Sequence, residues 1–222
     1  MKILIAADSW GCGEWSYISE QGSFILHKGL EQYLSDSNHT VFNISNGGAA
    51  NCAIIKRMER IKKKFDYVFF IQTDPLRDLR PYQKFSEFKT FNAVLNKQKD
   101  LIDETYNRLN NLGYSIHCIG GCSKLDLDLI KKYKNLIPLI ESVTEFLIPD
   151  YSHPAVWFSD WLKLINDQFD LDELEIFLKN KKIMDSLMDK HSDLFFPDGY
   201  HPNRKAHKIL FNEIIKVIDN KI

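Results

Sequence analysis

The sequence predicts an α/β fold in which a parallel sheet carries helices on both faces. Three observations point to it. Short apolar runs recur over 2–6, 40–44, 67–71, 114–119 and 136–140, each bounded by polar or glycine residues, as buried strands are. The segments between them place apolar residues at helical spacing. Strand and helix therefore alternate, which is the pattern of a parallel sheet covered on both sides.

The first strand, KILIA over 2–6, stops abruptly at Ala7-Asp8-Ser9-Trp10-Gly11-Cys12-Gly13-Glu14. Glycine there permits a tight turn and close backbone approach. Apolar residues at 26, 30, 33 and 34 predict a helix over 24–34, broken by Ser35-Asp36-Ser37-Asn38. The strand over 40–44 is β-branched and alternating. It exits through Ser45-Asn46-Gly47-Gly48-Ala49-Ala50-Asn51. A helix with Ile54, Ile55, Met58 and Ile61 on one side comes next, and Lys62-Lys63-Lys64 reads as its solvated end. Tyr67-Val68-Phe69-Phe70-Ile71 is the most apolar run of the first half and reads as a central strand; Gln72, Thr73, Asp74 and Pro75 end it. Residues 76–89 read as an irregular loop. A long amphipathic helix spans 91–112 and stops at Gly113. The fourth strand, 114–119, exits at Gly120-Gly121, and the fifth, 136–140, holds Pro138, which favours an edge. Residues 150–195 break the alternation. Helical segments around 157–165, 171–178 and 183–191 read as an insertion, a lid over one end of the sheet. After the loop Asp198-Gly199-Tyr200-His201-Pro202-Asn203, the last helix, over 203–218, buries Ala206, Ile209, Leu210, Ile214 and Val217. The whole span 1–222 reads as a single domain.

Bulk properties narrow the function. A chain of 222 residues with 44% hydrophobic and 27% charged residues is ordinary for a globular protein, and its net charge of −1 offers nothing to nucleic acid or an anionic membrane. The apolar runs are far shorter than a membrane span. Met1-Lys2 leads straight into the first strand, so no cleavable signal is expected and a cytoplasmic location is. Cys12, Cys52, Cys118 and Cys122 form no CxxC pair and no zinc spacing; they read as reduced thiols, with no metal or cofactor expected.

Three separated stretches call for one explanation. Ser9 lies just past the carboxyl end of the first strand, where open α/β sheets bind ligands. Asp198 and His201 are three residues apart before a helix. At that spacing a carboxylate can hold the Nδ1 proton and leave Nε2 to accept from a serine hydroxyl. The Ser9 and Gly48 N–H groups and a polar side chain after the third strand can then converge on an oxyanion. Each piece has a plainer reading. Ser9 can cap a helix, Asp198 and His201 can be a cap or a surface pair, and Gly47-Gly48 can be a turn.

Taken together, these blocks resemble the SGNH, or GDSL-type, hydrolase family over most of the chain. Ala7-Asp8-Ser9 stands for the family's Gly-Asp-Ser, Gly48 for the glycine after strand two, and Asp198-Gly199-Tyr200-His201-Pro202 matches Asp-x-x-His-Pro in full. The resemblance implies a flavodoxin-like three-layer αβα sandwich with five parallel strands. It also implies Ser9 as nucleophile, His201 as base and Asp198 as its orienter. The chain departs from the family where Gly-x-Asn-Asp is usual. Ile71-Gln72-Thr73-Asp74 stands there, so Thr73 takes the place of the oxyanion asparagine, with Gln72 as its substitute if the loop turns inward.

The expected activity is that of an esterase or deacylase working through an acyl-serine, with Ser9, Gly48 and Thr73 holding the oxyanion. Gln72, Asp74, Arg77 and Tyr200 are expected near the substrate, a small or carbohydrate ester. Tyr151, Trp157, Phe158 and Trp161 of the lid would shape its pocket. Two rivals are weighed. A non-enzymatic module binding glycans or a protein draws support from Thr73. A dinucleotide-binding oxidoreductase draws on Gly11-x-Gly13, but its third glycine position is Ser16.

Overall fold

The computed structural model describes residues 1–18, 22–79, 90–121, 123–150, 182, 186, 189–195 and 201–220. Its five-stranded sheet is parallel throughout, in the order β4-β1-β5-β6-β7. The strands are β1 (Lys2–Ala6), β4 (Thr40–Asn43), β5 (Tyr67–Gln72), β6 (Ile116–Gly120) and β7 (Leu136–Ile140). The helices are α1 (Ser9–Cys12), α2 (Leu30–Asp36), α3 (Asn51–Glu59), α4 (Phe91–Asn110), α5 (Leu127–Ile130), α6 (Val143–Leu147) and, after the insertion, α7 (Arg204–Asp219). A 3₁₀ turn, Pro75–Leu79, follows β5.

Strand periodicity sorts the core into two layers. Ile3, Ile5, Phe69 and Ile71 pack with Leu30 and Leu34 of α2, Val143 and Leu147 of α6, and Leu210, Ile214 and Ile218 of α7. Leu4, Ala6, Val68 and Phe70 face the other way, onto Ile54, Ile55 and Met58 of α3 and Ile102, Tyr106 and Leu109 of α4. All six residues of β5 are buried, as its unbroken apolar run predicts. The edges are β4 and β7, and Pro138 lies in the latter. The fold is thus the three-layer αβα sandwich. Because the chain goes outward from β1 to β4 and then crosses to β5, the strand order reverses beside β1. The crevice beyond the carboxyl ends of β1 and β5 is the switch point where such sheets bind ligands.

Residues 22–34 differ from expectation. They are not one helix. β3 (Gly22–His27) pairs antiparallel with β2 (Glu14–Ile18), and α2 begins only at Leu30. The run Phe24-Ile25-Leu26 is apolar at every position, so it satisfied a helical template by chance while its β-formers paired locally. Lys62–Lys64 lie in irregular chain beyond α3. α5 and α6 are too short, at four and five residues, to show a period. The expected helical segments around 157–165 and 171–178, and most of 183–191, lie outside the described residues.

The last helix closes the fold against the start of the chain. Asn203 caps it, its Oδ1 accepting from Lys205 N at 2.9 Å and Ala206 N at 3.1 Å. One turn in, His207 is buried, and its ring fills the space that a Cβ on Gly29 would enter, at 2.7 Å. The Gly13 backbone is a hydrogen-bonding neighbour of the ring. Burial pushes the His207 pKa down to about 4 from its ordinary 6.5. The unfolded chain therefore takes up this proton more readily than the fold does. The stability tied to neutral His207 is complete above pH 6.5, declines as pH falls below it, and is gone below about pH 4. His207→Phe, neutral at all pH, is expected to flatten the loss of urea midpoint between pH 7 and 4. An unchanged pH slope in the variant would show that other groups cause it.

Candidate active site

The site begins with a helix start. Asp8 caps α1: its Oδ1 accepts from Trp10 N at 3.0 Å, and Gly11 N donates to Asp8 O at 3.2 Å. Ser9 is the first helical residue, 6% exposed. Its N–H is one of the donors a helix start leaves without an intrahelical acceptor. The other Asp8 oxygen, Oδ2, accepts from Thr73 Oγ1 at 2.7 Å and from Arg77 Nη1 at 2.6 Å. Arg77 Nη1 also donates to Thr73 Oγ1 at 2.8 Å. Asp8, Thr73 and Arg77 are all buried, so the carboxylate gives up hydration for three donors, one of them a guanidinium.

The β5 exit is fixed from a second side. Thr73 N donates to Asn51 Oδ1 at 3.0 Å, and Asn51 Nδ2 donates back to Thr73 O at 3.1 Å. Asp74 Oδ1 accepts from Leu76 N at 2.9 Å and so starts the 3₁₀ turn. Gln72 is fully buried, and its Nε2 donates to Ser123 Oγ at 3.0 Å and Lys124 O at 3.1 Å.

The β4 exit is pinned to the serine turn. Asn46 N donates to Ala7 O at 3.1 Å and Asn43 Nδ2 to Gly11 O at 2.8 Å. Gly11 is needed here because a Cβ would strike the Ser45 side chain. Gly48 has φ +69°, a conformation that favours glycine, and a Cβ on it would meet nothing within 4 Å. Its face is open to an incoming group.

His201 arrives from the other end of the chain. Phe195 and Pro202 form an antiparallel bridge, Asn203 N donates to Leu194 O at 2.9 Å, and Asn203 Nδ2 donates to Asp193 O at 2.8 Å. Held so, His201 Nε2 lies 2.9 Å from Ser9 Oγ across 192 residues of sequence. Trp15 of β2 joins them. Its Nε1 donates to Ser9 O at 3.0 Å, its ring lies 5.9 Å from the His201 ring, and its edge borders Gly47. Arg204 Nε donates to Glu14 Oε2 at 2.6 Å, tying the same hairpin to the loop that carries His201.

The structure thus brings Ser9 and His201 together and sets the 45–48 loop beside the serine turn. Asp198 and Tyr200 lie outside the described residues. Three of the expected side chains are engaged within the protein. The Thr73 hydroxyl is not aimed at an oxyanion, because its single proton goes to Asp8. Gln72 is not turned inward, because its amide hydrogens hold the loop after β6. Arg77 is buried against Asp8. Asp74 is likewise buried, within its turn. Trp15 and Asn51 are the residues that sequence reasoning missed. Asn51 ends the glycine-rich exit after the second strand, and its pairing with Thr73 shows only in the fold. Cys12, beside Ser9, is no rival nucleophile: burial, with Asp8 adding to it, pushes its thiol up to about 11. Among the described residues no group of three His, Cys, Asp or Glu side chains could hold a metal ion, and no helix is long and apolar enough to cross a membrane.

No protein-family model matches the chain, and no curated protein matches its sequence. Solved structures do match over nearly its whole length. It is similar to the lipase/acylhydrolase from Enterococcus faecalis, at 13% identity over 99% of this chain and 96% of that one, with a TM-score of 0.42. It is similar to the psychrotrophic esterase EstA from Pseudoalteromonas sp., at 13% identity over 99% and 97%, TM-score 0.45. The acetylxylan esterase Axe2 from Geobacillus stearothermophilus is 13% identical over 97% and 92%, TM-score 0.44.

Removing one partner of a buried ion pair strands the other charge. Arg77→Met is expected to lower unfolding free energy by about 3–5 kcal/mol. Adding Asp8→Asn to Arg77→Met should recover part of that loss. Urea denaturation of both singles and the double measures the coupling, and strict additivity would show the pair to be independent.

Proposed function

We propose that the chain is an ester hydrolase acting through an acyl-serine intermediate on Ser9. The observation that carries this reading is the 2.9 Å approach of His201 Nε2 to Ser9 Oγ. A serine hydroxyl is a weak nucleophile until a base accepts its proton, and the base must lie within hydrogen-bond reach. In the proposed cycle Nε2 takes the Oγ proton as Oγ attacks the ester carbonyl. The imidazolium returns that proton to the leaving alcohol. Water, deprotonated by the same nitrogen, then releases the acid. Asp198 fills the orienting role three residues before His201.

Two backbone N–H groups, of Ser9 and Gly48, serve the developing oxyanion. Loss of one oxyanion donor typically costs about 10²–10³ in turnover. With the Thr73 hydroxyl given to Asp8, this enzyme is expected to be slow on unactivated esters. Small or carbohydrate esters, met in the cytoplasm, remain the substrate class that the reading favours. The engagement of Thr73 also favours a second reading, a binding module on the same fold that carries out no turnover.

A fluorophosphonate probe separates the two. Labelling confined to Ser9, lost in Ser9→Ala and slowed at least about 10³-fold in His201→Ala, supports the hydrolase. Wild-type protein left unlabelled at millimolar probe would sink it.

A further inference from the structure

We infer that the β2–β3 hairpin supplies a hydrocarbon-binding wall to the catalytic pair, so that the substrate carries an aliphatic chain longer than acetyl. The inference rests on the ester-hydrolase reading and deepens it. Trp15 and Ile25 are directly opposed in the antiparallel register. Opposed residues project from the same face of a hairpin, with Cβ atoms about 4.5–5.5 Å apart. That face is fixed by Trp15, whose indole donates to Ser9 O, lies against the His201 ring and borders Gly47. Ile25 therefore extends the indole surface on the side of the Ser9–His201 pair. It is 44% exposed, a large apolar side chain left open beside a reactive hydroxyl.

The occupant follows from position. The face is continuous with the catalytic pair through one side chain, Trp15, so whatever covers Ile25 is joined to what Ser9 attacks. A chain on the ester meets that requirement whether it belongs to the acyl or to the alcohol part. Phe24 opposes Ser16 and projects from the other face. It is 37% exposed, which makes it an internal control for the hairpin itself.

The test measures kcat/KM for two series, p-nitrophenyl esters of acids from two to ten carbons and alkyl acetates of growing alcohol. Each methylene reaching the wall should raise kcat/KM about two- to fourfold in one of the two series. The series that responds names the part of the ester that carries the chain. Ile25→Thr keeps β-branching and should lower the octanoate-to-acetate ratio, or its alkyl equivalent, about five- to tenfold. Phe24→Thr should leave that ratio unchanged. Ser9-dependent hydrolysis that stays flat along both series overturns the inference and leaves the hydrolase reading standing. No Ser9-dependent hydrolysis of any ester overturns both. An equal loss in Phe24→Thr assigns the effect to hairpin folding and overturns it. So does a gain seen only above the micellar concentration of the substrate, which assigns the face to aggregated lipid. A protein-concentration-dependent sedimentation coefficient that Ile25→Thr abolishes assigns the face to a second copy and overturns it as well.

Discussion

Asp8 is the carboxylate on which the geometry of the site depends. Its two oxygens receive Trp10 N, Thr73 Oγ1 and Arg77 Nη1, so one side chain starts α1 and joins it to the exit of β5. The parallel register makes the meeting unavoidable. Ala6 stands beside Phe70, and a few residues further on the two chains leave adjacent strands at the same edge. A buried ion pair of this kind is weak evidence for net stability, since desolvation offsets much of its attraction. What it contributes is a unique arrangement. Slippage of β1 against β5 would leave a carboxylate and a guanidinium unpaired in the interior.

That arrangement has a chemical consequence. A threonine hydroxyl has one proton to donate, and here it is directed to Asp8. The same side chain cannot hold Asp8 and an oxyanion at once. The amide that does sit at this junction is Asn51, which arrives from α3 and binds the Thr73 backbone on both sides. The β5 exit is thus fixed at the cost of a free side-chain donor.

The sheet was legible because buried strands are apolar at every position and short. The runs at 2–6, 67–71 and 136–140 lie within a residue of the observed strands. The hairpin was not legible. Phe24, Ile25 and Leu26 satisfy helix and strand templates alike, and only their pairing with 14–18 decides. Ser9 and His201 could be named from residue type and motif, yet their proximity depends on α7 docking onto α2, which no local pattern encodes. Thr73, Gln72 and Arg77 are the harder case. For these, polar character at a strand exit was visible, but direction was not. Thr73 reads as an oxyanion donor and Gln72 and Arg77 as substrate contacts, whereas hydrogen bonds join Thr73 and Arg77 to Asp8 and Gln72 to the loop after β6.

The hairpin that follows Ser9 explains how the two ends of the chain are held in register. An isolated two-stranded hairpin is at best marginally stable in water, so its order comes from its base. There Glu14 pairs with Arg204, Trp15 bonds Ser9 O, and His207 packs on Gly29. Gly13, with φ +116°, lets the backbone pass close beneath Lys28. The groups that order the hairpin are therefore the groups that fix the first turn of α7, and with it the loop carrying His201. Displacing one element would break contacts that hold the other. The hairpin and the loop carrying His201 are thus held by shared contacts from residues far apart in the sequence.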